Sequence, residues 1–150
     1  MKNWFAISLL MVSLVVAPAQ AEELMMARVH KPYAEAMLAL QDMITLSGYQ
    51  VMRVQRVDVG LKSRGFPTAE YRVVFFGKSA EVQTISKQYP ELMPYLPLKI
   101  TLFAEGETSL LVTNNPHMLR EFFKAPELQA VFTRWETDVR EILDALAESK

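Results

Sequence analysis

The sequence predicts an α+β fold: a mainly antiparallel sheet covered by helices on one face, in the order strand–helix–strand–strand–helix–strand–strand–helix. Three observations carry this expectation. Leu128, Val131, Phe132, Trp135, Val139, Ile142, Leu143 and Leu146 recur at helical spacing and form one apolar stripe. Leu98, Ile100 and Leu102 alternate with Lys99 and Thr101, and Glu105-Gly106-Glu107 turns the chain back into Ser109–Thr113, the pattern of a β-hairpin. Tyr71–Phe76 (YRVVFF) is a short continuous apolar run, as expected of a central strand.

In chain order, residues 24–29 (LMMARV) read as a strand. Pro32 suits the first position of a helix, where its missing N–H costs nothing. Tyr33, Met37, Leu40 and Ile44 then mark the helix's apolar face, and Gly48 supplies a left-handed stop. Tyr49–Val59 is valine-rich and reads as a strand. Its valines at 51, 54 and 57 break strict alternation, which a bulge or an edge position explains. Gly60–Thr68 is a turn or exposed loop. After the 71–76 strand, Ser79 is placed to cap a short helix carrying Val82, Ile85 and Tyr89, and Pro90 stops it. Beyond the hairpin, Asn114-Asn115-Pro116 starts a short helix through Phe123, and Pro126 opens the last one.

Residues 1–21 have the layout of a secretory signal peptide: Lys2, an apolar stretch from Trp4 to Val16, Pro18, then Ala19-Gln20-Ala21 before Glu22. Cleavage is expected between Ala21 and Glu22, with Ala19 as the other small recognition residue. The apolar stretch is shorter than the ~20 residues that span a bilayer. The chain is therefore read as residues 1–21, a signal, and 22–150, a single periplasmic or secreted domain with no later membrane span.

Composition narrows the chemistry. The 150 residues are 51% hydrophobic and 22% charged, with 16 basic against 17 acidic side chains. This balance argues against nucleic-acid binding. With no cysteine, disulfides, thiolate metal sites and cysteine nucleophiles are excluded. No phosphate-binding loop, nucleophile elbow, zinc-protease or dinucleotide fingerprint occurs, so an enzyme is the less favoured reading and no cofactor is expected.

Several local signatures nevertheless form a pattern: Gly48-Tyr49 with Val51, Val57-Asp58 with Leu61 and Gly65, Val73-Val74-Phe75-Phe76-Gly77, and Tyr89-Pro90-Glu91 leading to Leu96-Pro97. Together they resemble the bacterial domain-of-unknown-function 302 family over roughly residues 24–146. The resemblance implies a curved sheet packed against a long helix, in the TATA-binding-protein-like class. It implies no DNA binding and no agreed activity. Many relatives carry cysteines where this chain has Phe76-Gly77-Lys78 and Pro97-Leu98-Lys99, so any thiol role is unavailable here.

Candidate sites follow from charge and ligand chemistry. Residues 50–100 hold eight basic and four acidic groups, a net +4, whereas residues 101–150 net −4. Arg53, Arg56, Lys62 and Arg64 are therefore candidates for an anion-binding or docking face; a solvated sheet edge is the plainer role for them. His30 and His117 are weak metal candidates, lacking HxH or HxxxH spacing. The methionines, among them Met25, Met37, Met43 and Met52, read as core filling rather than soft copper ligands. Asp58 and Glu70, with Glu105 or Glu107, are conceivable acid–base pairs. The leading functional expectation is a non-enzymatic accessory protein that binds a small apolar or anionic ligand between sheet and helix. The alternatives are a module docking on an envelope protein through Phe66, Tyr89, Tyr95 and the prolines at 90, 94 and 97, a homodimer, and a copper- or zinc-handling protein.

Overall fold

The computed structural model describes residues 23–149. The segment read as a signal, with Ala19, Ala21 and Glu22, lies outside them. Five strands, β1 (Leu24–Val29), β2 (Gln50–Arg56), β3 (Tyr71–Gly77), β4 (Leu98–Glu105) and β5 (Thr108–Asn114), form one open antiparallel sheet in the order β1-β5-β4-β3-β2. The helices are α1 (Tyr33–Leu46), α2 (Val57–Lys62), α3 (Ser79–Gln88), α4 (Leu119–Phe122) and α5 (Pro126–Glu148), with 3₁₀ turns at Pro90–Tyr95 and Pro116–Met118.

Alternation along the strands explains where the core sits. Met25, Val29, Val74, Phe76, Ile100, Leu102 and Leu111 point to one face and are buried there. Against them pack Leu40 and Ile44 of α1 and Phe132, Trp135, Val139 and Ile142 of α5. Each such side chain contributes about 1.5–3 kcal/mol by leaving water. Gly48 closes α1 at φ +79, and Gly106 at φ +66 makes the β4–β5 turn, both in the left-handed region that glycine enters freely. Asn115 caps the second 3₁₀ turn by accepting from the His117 N–H at 2.9 Å.

Several boundaries differ from those expected. The second strand stops at Arg56, and Val57 begins α2, so the three valines do not share one strand. The irregularity inside β2 is a bulge between Val51 and Arg53, and β2 is an edge strand. Pro32 precedes α1 rather than opening it. Ser79 does not cap α3: Lys78 stands at that position, and the Ser79 hydroxyl donates to Gln50 Oε1 at 2.6 Å. The stretch after Pro90 is a 3₁₀ turn whose Leu92 is fully buried. β4, not β3, is the middle strand. The continuous apolar run of β3 still has a cause: it is paired on both edges, but only Val74 and Phe76 are covered by helices, while Tyr71, Val73 and Phe75 face the other way, half-buried.

Candidate functional site

The end of β2, the first turn of α2, the start of β3 and the first residue of α1 meet at one corner of the sheet. Arg56 and Arg72 are direct register partners on β2 and β3, on the helix-bearing side. Tyr33 is 5% exposed and Asp58 4%. The Arg72 guanidinium carbon lies 5.6 Å from the centre of the Tyr33 ring, within cation–π range. Its Nε is 4.0 Å from Asp58 Oδ1, close enough for an ion pair but too far for a hydrogen bond. Tyr33 Oη, Asp58 Oδ1 and Arg72 Nε are all buried and find no hydrogen-bond partner among the described residues. Each such atom costs about 1–3 kcal/mol.

Burial pushes the Tyr33 phenol up to about 12; Asp58 and Glu70 push the same way, while Arg72 and Arg56 oppose them. It therefore keeps its proton at physiological pH. The corner thus offers one acceptor (Asp58), one donor (Arg72) and one hydroxyl able to do either (Tyr33). Two cations, Arg56 and Arg72, stand against two carboxylates, Asp58 and Glu70. A hydroxyl or carboxamide group matches that set, whereas a free anion meets Asp58 and Glu70 as like charges.

The other polar clusters have already spent their hydrogen bonds. Tyr49 Oη donates to Asp138 Oδ2 at 2.5 Å, Arg134 bridges Glu81 and Asp138, and Trp135 Nε1 donates to Glu81 Oε2 at 3.0 Å. Burial and the Asp138 contact raise the Tyr49 phenol far above its ordinary value. This network ties α3 and α5 to the chain entering β2. An open groove of about 350 Å³ beside it is lined by Glu81, Thr84, Ile85, Tyr89 and Glu127, but Glu127 accepts from Tyr89 and Thr84 donates to the Ala80 carbonyl. A smaller cavity of about 110 Å³ lies against Tyr95, Lys99, Thr113, Asn115 and Met118. There Thr113 donates to the Lys99 carbonyl and Asn115 to Glu136. Neither cavity lies between the sheet and α5, where the sequence reading placed one.

The four basic candidates do not assemble into one face. Arg53 pairs in register with Phe75 and Arg56 with Arg72, so the pleat sends them to opposite sides of the sheet. Lys62 ends α2 and Arg64 follows it in the exposed turn. Only Arg56 belongs to the corner. His30 and His117 sit at opposite ends of the β1–β5 pair. His117 Nδ1 is 3.1 Å from Glu136 Oε2, and the described residues contain no cluster of three metal-ligating His, Asp or Glu side chains. Met25 and Met37 fill the core, but Met52 is exposed. Glu105 is held by Arg28 at 2.7 Å. Phe66 and Tyr95, grouped as one docking loop, lie toward opposite ends of β4, since the Ala104 N–H donates to Glu70 O at its far end while Tyr95 precedes its start. Among the described residues no helix is long and apolar enough to cross a membrane.

Sequence reasoning singled out Asp58 and Glu70 but missed Tyr33 and Arg72 as site residues. A signal for Arg72 existed: it is the one charge inside the otherwise apolar run YRVVFF. A Cβ at Gly77 would meet Val82 Cγ2 at 2.9 Å and Met52 Cε at 3.2 Å, so apolar side chains already occupy the space beside that glycine.

A family model described as "Domain of unknown function DUF302" matches residues 25–147. Among solved structures, a crystal structure of an uncharacterized conserved DUF302 protein from Bacillus stearothermophilus aligns with a TM-score of 0.74 at 18% identity, covering 84% of this chain and 99% of that one. At that identity the likeness is one of fold. No curated protein matches.

Proposed function

The chain belongs to the family of the domain of unknown function DUF302, and from that premise we propose that it is an exported, non-enzymatic binding protein that holds a small, electrically neutral polar molecule at the Tyr33–Asp58–Arg72 corner. The observation that carries this reading is the convergence of three buried polar atoms without hydrogen-bond partners. Folded domains leave only a few such atoms per hundred residues; three around one corner, with complementary donor and acceptor character, suit a bound hydroxyl or carboxamide. The protonated phenol and the paired guanidinium offer no activated nucleophile, which favours binding over catalysis. Export is supported by the signal-like layout of residues 1–21, a basic residue, an apolar stretch and Ala19-Gln20-Ala21; N-terminal sequencing of secreted protein starting at Glu22 is the expected result.

Asp58 is the one buried residue of α2. Native mass spectrometry of protein purified from full-chain expression tests the reading. It should retain a small neutral species, and Tyr33→Phe should lose it while staying folded. Bare protein, together with no thermal stabilisation by a panel of neutral carboxamides and polyols, would contradict it. Saturation at 100 times Kd stabilises by about 2.7 kcal/mol, so genuine binding is visible in the melt.

A further inference from the structure

The sheet face turned away from α1 and α5 has an apolar centre. Tyr71, Val73, Phe75, Phe103, Leu110 and Val112 lie on it, all half-buried and none part of the helix-side core, while Arg28, Arg53, Gln55, Lys99, Thr101 and Glu105 share the face. Met26, on the same side of β1, is 62% exposed. One-sided antiparallel sheets ordinarily turn polar residues to the open face; here an apolar centre on β3, β4 and β5 is rimmed by Arg28, Arg53, Lys99 and Glu105, the anatomy of an interface.

We infer that this face packs against the same face of a second copy of the chain, related by a two-fold axis crossing the middle strand β4 at Leu102. The pattern along β4 argues for that occupant. Its outward residues are Lys99, Thr101, Phe103 and Glu105, a sequence that is its own complement when reversed. An axis at Leu102 lays Lys99 of one copy over Glu105 of the other, twice, and Thr101 over Phe103. Register extends the match, because Arg72 and Leu111 both pair with Leu102. Tyr71 then faces Val73, and Leu110 faces Val112, giving an apolar centre with charged ends. Such isologous self-complementarity is what a two-fold dimer requires.

Size and edge chemistry agree. Five strands about 4.8 Å apart and about 20 Å long present about 480 Å² per copy, hence roughly 1,000 Å² in the pair, the lower threshold of a specific interface. Sheets stacked about 10 Å apart leave room for a Lys–Glu contact. Edge-to-edge assembly through β2 is blocked by its bulge and by Arg53 and Arg56.

Sedimentation equilibrium on protein from full-chain expression tests this. The wild type should be a dimer, and Val73→Asp should be monomeric with an unchanged far-UV spectrum. Lys99→Glu and Glu105→Lys, each putting like charges opposite, should each weaken the dimer about tenfold or more. An equimolar mixture of those two variants should dimerise again, because each cation then faces an anion. Loss of the Arg28–Glu105 contact within one copy predicts no such rescue. A wild type that stays monomeric up to about 100 μM, a dimer that survives Val73→Asp (as pairing through the β1 edge would), or a mixture that stays monomeric would each overturn the inference.

Discussion

At the scale of single residues, the corner gives opposite expectations for two neighbouring side chains. Tyr33→Phe removes a buried hydroxyl that has no partner among the described residues, so stability should hold or rise by up to about 1–3 kcal/mol, the cost of such an atom. Asp58→Ala strips the carboxylate from half-buried Arg72 and should cost about 1–3 kcal/mol, below the figure for a hydrogen-bonded buried pair because the contact is 4.0 Å long. Urea unfolding of both variants checks the pair. Alkaline pH supplies a second test. Because the folded protein holds the Tyr33 proton up to about 12 while an ordinary tyrosine releases it near 10, the folded state binds more protons in that window. Stability should stay level below about pH 10 and fall from there toward 12, and Tyr33→Phe should flatten part of the decline. None of this was legible as a site beforehand. Tyr33 looked like one more apolar residue of α1's stripe, and only the Arg56–Arg72 register brings Arg72 beside Asp58.

Elements were legible where periodicity is long. The stripe from Leu128 to Leu146 fixes α5, and the alternation of β4 with its glycine turn fixes the hairpin. Short α2 was not. Val57-Asp58-Val59-Gly60 has β-branched residues and a glycine, which local propensity assigns to strand or loop. Burial of Asp58 beside Arg72 anchors it there instead. With so little else buried, amide exchange over residues 59–65 should be fast relative to β3 and α5. Similar loss of generality explains Ser79: a good capping residue can be engaged by a neighbouring strand, here Gln50 of β2. The β3–α3 junction is tighter. Gly77→Ala should cost about 1–3 kcal/mol, because the new methyl meets the stiff Val82 side chain at 2.9 Å. Thermal unfolding monitored by circular dichroism checks the direction.

For the whole molecule, fold class, sheet type and family were all readable from the sequence, because they follow from element order and local signatures spread over residues 25–147. The direction each side chain faces was less readable. The +4 central segment looked like one anion-binding face, yet the pleat divides Arg53 from Arg56, and acidic partners balance what remains. The same pleat leaves a sheet face with an apolar centre uncovered by α1 and α5. Two surfaces therefore stand out: a neutral polar corner for a ligand and a broad face for a second copy. The corner is the central claim, and a titration followed by two-dimensional ¹H–¹⁵N NMR tests it most directly. Adding small primary carboxamides should shift the amide signals of Tyr33, Asp58 and Arg72 together, and Tyr33→Phe should abolish the effect. Shifts confined to the α3–α5 groove, or equal shifts in wild type and Tyr33→Phe, would contradict it.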